Sequence, residues 1–316
     1  MAKHAKNIEG DKGAWALYDE LIEGVPADVM VTDYALGVYW SYVNAESGCG
    51  IAWTARGGVK GKEIVDWRGR SLRDMAALAK SWCFEDATLG VAALNAWYGR
   101  EENLLALGAV IEGSPEAAKL CAVEAGEGVA LEAEADGGAA SGDMLVTTAT
   151  VTLIDDADGG RRHAGSGRDL GGFELRRPEL EAFAEAEGRL PRVAVVGHFP
   201  HMEQLAEYTD LTVLERNVRS DLDTPDPACE YVLPACDFAF VTGVTLINKT
   251  APRILQLAEN CRLTMVGPSV VASPALIDRG VGLLAGRYVV DPERVRFSCT
   301  TGFPFGSALR NYAIGC

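Results

Sequence analysis

From Pro191 onward, short apolar runs alternate with helix signals, and this rhythm limits the fold more than any other feature of the chain. The runs are VAVV at 193–196, LTVL at 211–214, FAFV at 238–241, RLTMV at 262–266 and GLLA at 282–285. Between them, Thr250-Ala251-Pro252 opens RILQLAEN and Ser273-Pro274 opens ALIDRG. A strand apolar on both sides is buried on both faces, and helical crossovers between such strands make a parallel sheet sandwiched by helices. The expectation is an α/β fold with a C-terminal, Rossmann-like, doubly wound parallel sheet. One connection breaks the rhythm: residues 216–236, RNVRSDLDTPDPACEYVLPAC, are interrupted by prolines and leave room for only one helical turn. Long connections beyond strand ends tend to carry function.

The first strand of this sheet ends at Gly197, where a dinucleotide-binding fold would turn through G-x-G-x-x-G. Here the chain continues His198-Phe199-Pro200-His201. A pyrophosphate needs free backbone N–H groups close to it; Phe199 is bulky and Pro200 has no N–H. The sequence therefore argues against an ordinary NAD site, although Glu215 ends the second strand where a Rossmann fold places its ribose-binding acid. The turn offers side chains that can coordinate, exchange protons and stack.

Upstream, the pattern is α+β. Val29 to Val43 is rich in β-branched and aromatic residues, Glu46 to Gly50 supplies a turn, and Ile51 to Ala55 returns, which predicts a long hairpin. Ser71 with Asp74 predicts an N-cap ahead of MAALAK. A second helix is expected over 85–98; Leu89, Ala93 and Trp97 form one stripe, and Val91, Leu94 and Tyr98 lie beside it, so it should be buried between layers. Gly90 inside it costs about 1 kcal/mol against alanine, which close helix packing would offset. Residues 112–172 are rich in Gly, Ala and acids, with one alternating run, Leu145 to Ile154, that predicts a hairpin. Pro178 and Gly188 bracket a further helix.

The net charge of −16 excludes the basic footprint that nucleic acid requires. Its location matters more than its size, because residues 101–190 carry 19 acidic against 7 basic side chains. No apolar run reaches the 18 or so residues of a membrane span, and MAKHAKNIEGDKG has no hydrophobic signal segment. Eight scattered cysteines without a C-x-x-C pair are read as reduced thiols in a cytoplasmic protein.

Several residues are candidates for chemistry, each with a plainer alternative. His198 and His201 are candidate ligands for a divalent transition metal; alternatively they bond a backbone carbonyl and cap a helix. Two imidazoles do not close a metal site, so acids such as Glu215 or Asp226 would have to join them. Lys80-Ser81-Trp82 precedes the buried helix that carries Glu85 and Asn95. A charge there must reach water, an ion pair or a cleft, and a structural Lys80–Glu85 pair is the plainer account. Thr242, Asn248, Lys249 and Thr250 follow the third strand of the sheet, at the carboxyl edge where α/β folds bind ligands. They can hold an anionic group, or Thr250 can be a simple N-cap. Gly267-Pro268-Ser269 closes the next strand at the same edge.

Together GHFPH, LE, LPACD, NKT and VGP, with KSW…E…LGVAALNAWY upstream, resemble a bacterial and archaeal family of unassigned activity. That family pairs an enolase N-terminal-like α+β domain with a Rossmann-like domain named for heavy-metal chelation. The likeness covers about residues 14–110 and 178–298, and the acidic stretch departs from it. It implies domains at 14–110 and 178–316, an insertion at 111–177, and a cleft between the sheet's carboxyl edge and the front layer. It also implies action on, or binding of, a pterin-, flavin- or siderophore-like molecule or a metal chelate, by condensation or hydrolysis. In the enzymatic version His198, Lys80 and Glu85 would be catalytic, and Asn95, Glu215, Thr242, Asn248, Lys249 and Thr250 would hold the ligand. The alternative is a non-catalytic heavy-metal or metallophore binder using His198 and His201. Whether the protein is an enzyme, and whether it forms a homo-oligomer, are both left open.

Overall fold

In the computed structural model, residues 12–61, 65–114, 151–154, 173–197, 199 and 205–315 are described. The chain opens with helix α1 (Lys12–Glu23) and a three-stranded antiparallel sheet, β1 (Val31–Ala35), β2 (Trp40–Ala45) and β3 (Gly48–Trp53). The expected hairpin is thus a meander, because the Val29–Val43 run breaks at residues 36–39. Gly37 explains the break. A Cβ there would lie 2.2 Å from the Trp40 carbonyl oxygen and 2.4 Å from that of Cys299, so the backbone turns in close contact with the C-terminal part of the chain. β2 and β3 pair in the expected way, with Tyr42 opposite Ile51 and Asn44 opposite Cys49.

Helix α2 (Leu72–Ala76) continues into a 3-10 turn over Ala77–Lys80. Ser71 occupies its N-cap position, but its hydroxyl makes no capping bond, so that part of the expectation is corrected. Helix α3 (Phe84–Tyr98) matches the predicted span and is buried from Ala87 to Ala96. Two glycines let it sink between layers. A Cβ on Gly50 of β3 would stand 2.1 Å from the Ala96 nitrogen, and one on Gly90 would stand 2.0 Å from the Ala79 nitrogen. Close backbone approach is the compensation for glycine in a helix interior. Helix α4 (Glu101–Ala106) and strand β4 (Val110–Ile111) follow.

Strands β5 (Val151–Ile154) and β6 (Phe173–Arg176) pair in parallel, so the end of the predicted 145–154 hairpin is not paired as one; residues 145–150 lie outside the described part. Helix α5 (Arg177–Glu187) ends at Gly188, whose φ of +66° is the left-handed stop expected there. Then come β7 (Arg192–Val196), β8 (Asp210–Glu215), β9 (Asp223–Pro225), β10 (Phe238–Thr242), helices α6 (Val244–Ile247) and α7 (Ala251–Leu257), β11 (Arg262–Val266), helix α8 (Pro274–Ile277), β12 (Val281–Val289), helix α9 (Pro292–Thr301) and β13 (Leu309–Gly315).

The main sheet runs β4-β13-β12-β11-β10-β7-β8-β9. From β12 to β9 every neighbouring pair is parallel, and β13 and β4 extend the edge antiparallel. The order reverses between β7 and β10, which makes that junction the topological switch point of a Rossmann-like sheet. No helix among the described residues is long and apolar enough to cross a membrane.

The Gly90 contact gives a direct test. Gly90→Ala adds helix propensity of about 1 kcal/mol, yet the new methyl strikes the Ala79 backbone. Urea denaturation should show a net loss of roughly 1–3 kcal/mol. A stabilised variant would contradict this packing.

Candidate functional site

The front layer is stitched to the carboxyl edge of the main sheet by hydrogen bonds that cross between them. The Trp53 backbone N–H donates to Ser269 Oγ at 2.9 Å, and the Tyr18 hydroxyl donates to the Leu246 carbonyl at 2.8 Å. The Asn95 Nδ2 group donates to the Ile51 carbonyl at 2.9 Å and to the Pro268 carbonyl at 3.3 Å. Glu20 of α1 pairs with Arg279 beyond α8 at 2.8 Å. These contacts bring the N-terminus of α3 above the ends of β8 and β10. The Arg216 guanidinium, just past β8, sits 6.0 Å from the Phe84 ring, and the Lys249 ammonium is electrostatically coupled to Cys83.

Lys249 is the most unusual residue of this seam. Its φ of +69° makes it the one non-glycine among the described residues in the left-handed region. A lysine held in that conformation carries a strain that glycine would relieve, and such outliers concentrate at functional positions. Its ammonium donates to the Ile247 carbonyl at 2.6 Å. Burial lowers its pKa from 10.5 to about 8, and the coupling to Cys83 works weakly in the other direction. The adjoining Asn248 accepts from both the backbone N–H and the hydroxyl of Thr250, at 3.1 and 2.6 Å, which locks the loop that presents Lys249.

At the switch point itself the two strand ends interlock. Gly197 has a φ of +109°, and a Cβ there would lie 3.0 Å from Thr242 Cγ2. Thr242 Oγ1 accepts the Val244 N–H at 3.3 Å and so opens α6. Phe199 is only 5% exposed and packs into the core with Leu180, Val195 and Phe240. The turn was expected to offer side chains that can stack; the Phe199 ring instead faces inward and seals the apolar layer beside β7.

The other sequence-derived candidates fall at different places. Lys80 pairs with Asp19 of α1 at 2.5 Å and lies 5.3 Å from the Trp15 ring centroid, so its partner is not Glu85. Glu85, at the start of α3, accepts from the Cys83 thiol at 3.5 Å. Asn95 is 6% exposed, and the two carbonyls occupy its amide hydrogens. Glu215 ends β8, half-buried, and its carboxylate accepts the Arg216 N–H at 3.0 Å. Asp226 is paired with Arg216 at 3.2 Å. His198 and His201 lie outside the described residues. Among the described residues no three His, Cys, Asp or Glu side chains converge as a metal site. Lys249 is thus linked to Cys83, whose thiol reaches Glu85, while Glu215 stays with Arg216 at the end of β8 and Lys80 is turned toward α1. Reading the sequence alone missed Cys83. Burial first of all raises its thiol pKa, and its only signal was its place before a helix with an acidic first turn.

Comparisons with known proteins agree with this arrangement. Residues 182–313 match the DUF364 family and residues 18–98 match the DUF4213 family, both described as "Putative heavy-metal chelation". Two separate segments of the chain thus match family models that carry the same description. A protein of unknown function from the DUF364 family of Desulfitobacterium hafniense superposes with a TM-score of 0.68 at 25% identity, covering 97% of this chain and 100% of that one. A DUF364 protein of unknown function from Pyrococcus horikoshii gives a TM-score of 0.64 at 18% identity, covering 96% and 99%, and shows the same fold. An uncharacterised protein of Methanocaldococcus jannaschii is 29% identical over 134 residues. That match takes in 41% of this chain and about half, 49%, of the relative.

Two predictions follow from the geometry. Asn95→Leu leaves the Ile51 and Pro268 carbonyls without their donor and should cost roughly 1–3 kcal/mol in chemical denaturation; an unchanged midpoint would show that the bridge contributes nothing. Lys249 has a folded pKa below its unfolded one. The unfolded chain therefore binds more protons between about 8 and 10.5, and this residue's contribution to stability rises with pH across that window. Below it the penalty is constant. Lys249→Met should flatten that part of the pH–stability profile, measured by denaturation at a series of pH values.

Proposed function

We propose that the seam between α3 and the carboxyl edge of the main sheet holds a small, polar, anionic molecule of the chelator or heterocycle class: pterin-, flavin- or siderophore-like, or its metal complex. The observation that carries this reading is Lys249, a strained and partly desolvated cation at the ligand-binding edge of a Rossmann-like sheet. Lys80 is a weaker anchor because Asp19 already neutralises it. Among the described residues no carboxylate pairs with Lys249, and an incoming anion would supply that partner and favour its protonated form. The family's description as heavy-metal chelation proteins supports a ligand that itself binds metal.

In this proposal residues 14–110 and 178–316 are the two walls. Glu85 and Glu215 orient the polar edge of the ligand, Asn248 and Thr250 hold the loop, and His198, which follows Gly197, serves as general acid or base if the ligand is condensed or hydrolysed. A second reading takes support from the same family description: direct capture of a divalent transition metal by His198 and His201 with nearby acids.

Thermal-shift titrations separate the two. A ferric catecholate siderophore, a pterin and flavin mononucleotide are tested beside free divalent metal ions. A bound chelate or heterocycle should stabilise the protein by about 2.7 kcal/mol at a hundred times its Kd. Affinity should fall as pH rises through about 8, and Lys249→Met should remove both the shift and its pH dependence. Stabilisation by free metals alone, lost in His198→Ala, would overturn the chelate reading in favour of direct metal capture.

A further inference from the structure

One residue of β1 has no place in its ladder. Val31 pairs with Ala45 but Asp33 pairs with Asn44, so Thr32 is bulged out of the strand. Bulges re-aim side chains and recur beside binding sites. This one stands at a cleft of about 300 Å³ between the front meander and the start of α9. Thr32, Asp33, Tyr42 and Asn44 line it from β1 and β2, and Glu293 and Arg296 line it from α9. Side chains two apart on a strand share a face, as do side chains three apart on a helix, so each element turns a polar face to the other. Tyr42, 2% exposed, also shares an apolar cluster with Val295 and Cys299, which fixes α9 against β2. Helix α9 follows β12, so the cleft adjoins the carboxyl edge of the main sheet, two strands away from β10.

Asp33 is fully engaged. Its Oδ2 accepts from the Tyr42 hydroxyl at 2.5 Å and faces Arg296 Nε at 3.4 Å. Its Oδ1 accepts from Arg68 Nε and Nη2 at 3.1 and 3.0 Å. Arg296 therefore meets Asp33 through Nε, while its Nη1 stands 4.0 Å from Glu293 Oε2, too far for a hydrogen bond. Both side chains of this loose pair are exposed, Arg296 by 59% and Glu293 by 86%. The cleft thus holds one guanidinium and one carboxylate side by side, each with bonding capacity to spare, and the Asn44 amide and Thr32 hydroxyl line it with them.

We propose that this cleft binds a small zwitterion of the α-amino-acid class, one with a polar side chain. Its carboxylate accepts from the terminal nitrogens of Arg296, its ammonium donates to Glu293, and its side chain meets Asn44 and Thr32. The mixed lining is what selects a zwitterion. A simple anion drawn to Arg296 also meets the charges of Glu293 and Asp33, and a simple cation drawn to Glu293 also meets Arg296. A molecule whose opposite charges sit one carbon apart satisfies both members of a pair 4.0 Å apart. The volume lies at the lower end of the range for ligand pockets, which suits a molecule of this size. Asp33 keeps its partners throughout, so binding leaves the ion pair between β1 and α9 in place. None of these residues belongs to the Lys249 seam, and the proposal does not depend on what that seam binds.

The test is isothermal titration calorimetry of the full-length protein with L-serine, L-asparagine and L-glutamine, beside sodium acetate and methylammonium chloride. At least one of the three amino acids should bind with a Kd of about 1 mM or tighter, and neither single-charge ion should. Glu293→Gln and Arg296→Gln should each weaken that binding by ~10-fold or more, the loss expected when one charge-assisted bond is removed. Glu293 is exposed enough to be changed without disturbing the fold, so Glu293→Gln decides the matter if Arg296→Gln fails to fold. The proposal is overturned if none of the amino acids binds, if acetate or methylammonium binds as tightly, or if Glu293→Gln keeps wild-type affinity.

Discussion

A buried amide stands at the centre of the bonds that join the two layers of this protein. Asn95 projects from α3 with its nitrogen shared between a carbonyl of the front meander and a carbonyl at the carboxyl edge of the main sheet. In water such an amide would be satisfied anywhere; in the interior it must find its acceptors, and the ones it finds belong to different layers. The glycines around it set the distance. Gly50 lets β3 lie against α3, and Gly90 lets α3 lie against the turn that precedes it. With the helix seated this deeply, its N-terminus is carried over the ends of β8 and β10, and the seam exists because of that depth.

The carboxyl edge of a parallel sheet is a general-purpose binding site, and this chain has altered one part of it. The residues after β7 no longer present a glycine-rich loop: Gly197 is held against Thr242, and Phe199 is spent on the core. What remains at the edge is the loop after α6, where Asn248 and Thr250 brace a lysine in a conformation that lysine does not favour. In the function proposed above, a side-chain cation would take the place of the backbone N–H groups that hold a phosphate in a dinucleotide fold.

Much of the fold was legible because it rests on local periodicity. The apolar strands of 193–285, helix α3 and the Pro178–Gly188 helix all follow from burial on both faces, or from helix ends marked by proline and glycine. The errors have causes that are not local. The Val29–Val43 run looked like one strand because its β-branched and aromatic residues continue through residues 36–39, whereas the turn there is forced by Gly37 meeting Cys299, more than 200 residues away in the chain. The pairing of Lys80 with Asp19 instead of Glu85 depends on where α1 lies, and no spacing between positions 80 and 85 reports that. The places of Lys249 and Glu215 near the carboxyl edge were readable because strand ends are readable. The coupling of Cys83 to Lys249 was not readable, since it joins segments far apart in the chain.

Taken alone, the order of residues determined the class of the fold and the direction of its strands, because those depend on which side chains avoid water and at what interval. Tertiary structure alone decided which charges are already neutralised and which backbone is strained. Those properties arise between segments far apart in the chain, where distance and burial, not spacing, set the energy.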